Sequence, residues 1–245
     1  MSECRDKRLD RSDPKVGLWP SASLLGGLET GTRQEFLTLG TLCEVESGRV
    51  LLREGEDSDH VVLLLDGCVK VIASTEEGNL ALLDIRVGGD LVGELASLDE
   101  RPRSATVIAA GPAVVRIIRR ADFIAFLERH PDASIAVGKG IAAKLRWATR
   151  RRIDFGGCSV QVRLARVLVE LVDSYGEPAP GGTVIATSLT QPELAALVGA
   201  AEPTVHKALA SLRRSGALAT GYRRILVRDR ATLEAMGVLA YRNPS

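Results

Sequence analysis

Two stretches of this chain carry residue types at spacings that could do chemistry. The first runs from Gly93 to Val107 and holds Glu94, Leu95, Ala96, Arg103 and Ser104. A glycine opening a short helix turns backbone N–H groups outward, an arrangement that attracts anions. Arg103 and Ser104, on a returning strand about ten residues later, can bring a guanidinium and a hydroxyl to one phosphate. Glu94 cannot serve a phosphate but can accept hydrogen bonds from a sugar hydroxyl. The alternative is a degenerate site kept for folding, with Gly93 needed for a turn and Arg103 paired to Glu94 or Asp99.

The second stretch runs from Ser188 to Gly216. Thr190 and Glu193 have capping-box spacing, and Pro192 falls in a first helical turn, where a missing N–H costs nothing. That helix stops at Gly199. After Ala200 and Ala201 a second helix carries Thr204 to Ser215 and is halted by Gly216. Two helices joined by a short glycine-containing turn read as a helix-turn-helix. Leu194, Ala195, Leu197, Val198, Val205, Leu209 and Leu212 form its inward face. Thr204, His206, Lys207 and Ser211 face outward to a major groove, with Thr190, Glu202, Arg213 and Arg214 near the nucleic acid. Beyond Gly216 a hairpin with Tyr222, Arg223 and Arg224 at its tip reads as a wing that meets phosphates.

The elements that must position these groups follow from periodicity. From Glu44 to Ile118 short apolar runs alternate with turn residues, which implies a β-roll; Asp66-Gly67 marks a tight hairpin. A short helix from Asp122 ends at His130-Pro131, and a longer one runs from about Asp132 to about Ile153. Its Gly138, Ile141, Leu145 and Ala148 recur at spacings of three and four, the seam of two parallel helices; covering the roll is the alternative use. Gly156-Gly157 reads as a hinge. The fold class expected is α+β: a charged tail over 1–20, a double-stranded β-roll over 21–131, a dimerisation helix over 132–155 and a winged helix-turn-helix domain over 156–245.

Composition narrows the function. The formal net charge of +1 divides into 22 Lys/Arg against 24 Asp/Glu in residues 1–155 and 10 against 7 in the remainder, so the basic side is the helix-turn-helix. No apolar run approaches the roughly 20 residues of a membrane span, and the charged N-terminus lacks the apolar core of a secretory signal; a cytoplasmic location is expected. Cys4, Cys43, Cys68 and Cys158 include no C-x-x-C pair, so reduced thiols and no metal are expected. His60, His130 and His206 fall in a strand, before a helix-ending proline and in the outward helix, so no catalytic triad is read and no enzyme is expected.

The stretch from Gly93 to Ser104 resembles the phosphate-binding cassette of cyclic-nucleotide-binding domains. Over about residues 20 to 240, in the order roll, long helix, winged helix-turn-helix, the chain resembles the CRP/FNR regulators; the catabolite activator is itself a standard example of helix-turn-helix docking and DNA bending. The resemblance implies a homodimer on a palindromic operator in double-stranded DNA, with RNA polymerase as a further partner and cyclic AMP or cyclic GMP as allosteric ligand. Gly93 and the backbone of Glu94, Leu95 and Ala96 would cradle the cyclic phosphate, Glu94 would hold the ribose 2′-hydroxyl, and Arg103 and Ser104 would bind the phosphate. Two adjacent hydroxyl residues that contact the base in cyclic-AMP members are Ala148 and Thr149 here, so one hydroxyl is lost. Where members reading the common half-site have Arg-Glu before Thr-Val, this chain has Glu202-Pro203, which removes a guanine contact of about 1–3 kcal/mol. A lone Cys4 does not make an iron–sulfur site, and Cys68 reads as a turn-flanking thiol rather than a haem ligand. A ligand-independent regulator of the same fold is the alternative.

Overall fold

The computed structural model describes residues 19–20, 23–74, 80–185, 189–221 and 224–238. Helices α1 (Leu24–Gly27) and α2 (Thr30–Phe36) precede strands β1 (Thr41–Val45), β2 (Val50–Leu52), β3 (His60–Asp66), β4 (Cys68–Ser74), β5 (Leu80–Val87) and β6 (Leu91–Val92). Helix α3 (Glu94–Asp99), β7 (Thr106–Ala109), β8 (Ala113–Arg119), α4 (Arg120–Arg129) and the long α5 (Pro131–Gly157) follow. The rest of the chain forms α6 (Val160–Tyr175), β9 (Gly176–Ala179), β10 (Gly182–Ile185), α7 (Gln191–Val198), α8 (Glu202–Arg214), β11 (Leu218–Gly221), β12 (Arg224–Val227) and α9 (Arg230–Val238). The chain divides into two compact units between Ala143 and Lys144, inside α5.

In the first unit, two antiparallel four-stranded sheets, ordered β1-β8-β3-β6 and β2-β7-β4-β5, make the expected roll. The unbroken apolar run Val61 to Leu65 has a physical cause, since every one of its residues is at most 1% exposed. Successive side chains on a strand point to opposite faces. Val62 and Leu64 join Val69, Val107 and Val115 in one core, while Val61, Leu63 and Leu65 join Leu25, Phe36, Phe123 and Phe126 in another. Phe36 of α2 stacks on Phe126 of α4 at 4.7 Å between ring centroids. Gly67 turns β3 into β4 at φ 87°, and a Cβ there would lie 2.7 Å from the Pro112 carbonyl oxygen. Cys68 and Cys158 are not disulfide-bonded. Cys43 is disulfide-bonded, which corrects the expectation of reduced cysteines throughout.

In the second unit, α6 buries Leu164, Ala165, Leu168 and Leu171, and a sheet ordered β11-β12-β10-β9 lies alongside the helix-turn-helix. The sequence reading missed β9 and β10: Pro178, Pro180 and the Gly181-Gly182 turn hide their alternation. It also misplaced the end of the long helix. Gly156 and Gly157 are helical, α5 runs to Gly157, and the break falls at Cys158 and Ser159, where the Ser159 hydroxyl caps α6. The last turns of α5 are fastened within this unit. Arg151 donates to the Leu197 carbonyl and lies over the Trp147 ring, and Arg166 pairs with Asp154 and donates to the Gly237 carbonyl. The twin glycines read as a hinge thus form the last turn of α5, directly before the break at Cys158 and Ser159.

Candidate functional site

The cassette in the roll is assembled from three chain segments. Gly93 sits in the left-handed region at φ 84°, and a Cβ there would meet Arg103 Nη1 at 2.8 Å and Leu52 Cδ1 at 2.9 Å. Glycine is therefore required by backbone conformation and by the close approach of the guanidinium. No side chain caps the first turn of α3.

Arg103 is 3% exposed, and its fork is held by protein oxygens. Nη1 donates to the Gly93 carbonyl at 2.8 Å, Nε to Ser58 Oγ at 2.7 Å, and Nη2 to the His60 carbonyl. Its backbone is tied as well: its N–H donates to the Glu56 carbonyl at 3.0 Å, and its own carbonyl accepts from the Gly55 N–H at 2.9 Å. Burial lowers the guanidinium pKa, opposed by the charges of Asp59, Glu94 and Glu56. Burial and then the Arg103 charge lower that of His60.

Gly93, Glu94 and Arg103 thus meet, with Glu94 5% exposed. Ala96 is buried, Leu95 points outward at 42% exposure, and Ser104 is exposed next to Arg103. Thr149 lies on α5 in the second unit, exposed, its hydroxyl donating to the Leu145 carbonyl at 2.9 Å. Sequence reasoning passed over Ser58 and read His60 only as part of a strand. They lie 45 and 43 positions before Arg103, and only the folded roll brings them to it.

In the second unit the capping box is formed in both directions. Glu193 N–H donates to Thr190 Oγ1 at 3.4 Å, and Thr190 N–H donates to the Glu193 carboxylate at 2.9 Å. The Thr190 hydroxyl is therefore engaged as a cap, a structural task beside the DNA contact expected of it. Helix α7 ends on Gly199 in the left-handed region, where the Phe155 ring fills the space a side chain would need.

Helix α8 buries Val205, Ala208, Leu209 and Leu212 and leaves Glu202, Thr204, His206 and Lys207 exposed. Ser211 is half-buried, and Arg213 donates to Thr220 Oγ1 at 3.2 Å, joining α8 to β11. Lys207, Ala210, Arg213 and Arg214 line a shallow depression. Arg224 is exposed at the start of β12; Tyr222 and Arg223 lie outside the described residues. Along α5, Ile135, Gly138, Leu145 and Ala148 are exposed, Leu145 at 67%, while Ile141 and Ala142 are half-buried.

A roll with this cassette, followed by a winged helix-turn-helix, defines a DNA-binding transcription regulator with a cyclic nucleotide-binding domain. The chain matches the cyclic nucleotide-binding domain family over residues 42–130 and the Crp-like helix-turn-helix domain family over residues 162–236. It is 31% identical over 184 residues to the CRP-like cAMP-activated global transcriptional regulator of Mycobacterium tuberculosis, covering 74% of this chain and 81% of that protein. The anaerobic regulatory protein of Bacillus subtilis is 28% identical over 184 residues, 74% of this chain and 76% of that one. The solved structure of FixK2 from Bradyrhizobium japonicum has the same fold, with a TM-score of 0.69 at 19% identity over 81% of this chain and 97% of its own. The chain belongs to the CRP/FNR family, whose members are transcription regulators rather than enzymes. Among the described residues no helix is long and apolar enough to cross a membrane.

Proposed function

We propose that this regulator works in the cytoplasm as a homodimer whose affinity for a palindromic operator is set by cyclic AMP or cyclic GMP bound in the roll. The observation that carries the ligand site is the buried Arg103 fork at the mouth of α3, beside Gly93 and Glu94. The cyclic phosphate sits against Arg103, Ser104 and the backbone of Gly93, Leu95 and Ala96, and Glu94 accepts from the sugar. Thr149 contacts the base. Two copies pair along the exposed apolar positions of α5 and set their α8 helices about 34 Å apart, one turn of DNA. Thr204, His206, Lys207 and Ser211 face the major groove, with Thr190, Glu202, Arg213, Tyr222, Arg223 and Arg224 around them; RNA polymerase is the downstream partner.

Ligand acts only through its differential affinity for the DNA-competent arrangement. Calorimetric titration with each nucleotide, followed by operator binding with and without it, tests this. The expected result is one site per chain and tighter DNA binding in its presence.

One observation favours a second reading. Ser58, Gly93 and His60 already accept from Arg103, so the residue also serves as a fastener of the roll, as it would in a ligand-independent regulator. Full DNA binding with no heat from either nucleotide selects that reading.

A further inference from the structure

We infer that Glu202 chooses the operator sequence, by accepting a hydrogen bond from the exocyclic amino group of a cytosine in the major groove; this rests on the DNA-binding reading of α8. Glu202 is the only acidic residue in α8. It stands in the first turn, the part of a recognition helix that reaches base edges. Its side chain is 47% exposed, and its Oε1 lies 3.6 Å from Nε2 of His206, one turn on. The other charges of the exposed face are the cations Lys207, Arg213 and Arg214.

A carboxylate on a surface that approaches a polyanion is repelled unless a donor meets it. Ionised, it can only accept. Of the four bases, guanine offers N7 and O6 and thymine offers O4, all acceptors, so both repel it. Adenine offers its N6 donor beside the N7 acceptor, which a second carboxylate oxygen would face. Cytosine alone presents its amino group without an adjacent ring acceptor in the groove. The same carboxylate excludes operators with guanine at that point, so Glu202 discriminates by repulsion as well as by attraction. Its rival role is to favour the positive end of the α8 dipole, which affects helix stability and leaves base preference unchanged.

Selection from a random duplex pool at low salt, with the wild type, Glu202→Gln and Glu202→Ala, separates the two. Wild type should enrich cytosine at one position of each half-site, by about 5- to 150-fold over other bases. Glu202→Gln should move that position to adenine, whose N6 and N7 match an amide. Glu202→Ala should lose the preference there while other positions and binding to unselected duplex persist. Identical preferences in all three proteins overturn the inference alone, as does a complete loss of DNA binding in Glu202→Ala, because removing a negative charge leaves backbone attraction in place. A wild type that binds no duplex overturns both this inference and the reading beneath it.

Discussion

Replacing Arg103 with alanine leaves three oxygens, on Ser58, Gly93 and His60, without the donor that now joins them. An unmet buried acceptor costs about 1–3 kcal/mol. Exposure of some of these groups to water, together with release of the cost of burying a guanidinium, offsets part of the sum, so a net loss of about 2–4 kcal/mol is expected. That is a large share of the roughly 5–15 kcal/mol of a typical domain.

The chain has two tryptophans, one in each unit. Trp19 donates to the Leu65 carbonyl at 2.9 Å, and Trp147 donates to Glu170. In a Trp147→Phe background, urea unfolding followed by fluorescence therefore reports on the roll. The midpoint should fall by about 1–2 M. Cyclic nucleotide at about 100 times its dissociation constant should stabilise the parent roll by about 2.7 kcal/mol and the variant not at all. An unshifted urea midpoint in Arg103→Ala would refute the fastening role. A variant that keeps its nucleotide-dependent shift would refute the placement of the phosphate.

Three further outcomes are expected. Lys207→Ala should weaken operator binding and relax base preference at one position of each half-site without affecting nucleotide binding, whereas unaltered affinity and base preference place Lys207 off the DNA. Leu145→Asp, at a position 67% exposed on α5, should yield monomers at micromolar concentration in sedimentation equilibrium; persistent dimers exclude this stretch as the seam. Burial raises the Glu170 pKa above the ordinary carboxylate value of 4.5, against the hydrogen bond from Trp147. The folded second unit therefore holds this proton more tightly than the unfolded chain. The resulting stability is present below pH 4.5 and is lost as pH rises through the raised value. Glu170→Gln should remove that descending component from melting curves followed through Trp147; identical pH profiles for the two proteins would dismiss it.

The helix-turn-helix was legible because its signals are local. A capping box links residues three apart, Gly199 ends a helix by its own conformation, and the burial of Val205, Leu209 and Leu212 follows from a 3.6-residue period. The apolar run Val61 to Leu65 likewise announces a strand covered on both faces. Strand register and helix packing decided the rest. They bring Ser58 and His60 to Arg103 across more than 40 positions, and they pair β10 with β12 of the wing and β9 with β10 despite Pro178. They also hold α5 helical through Gly156 and Gly157. Such features depend on which distant oxygen or ring lies opposite a residue, and residue type and periodicity carry no record of that.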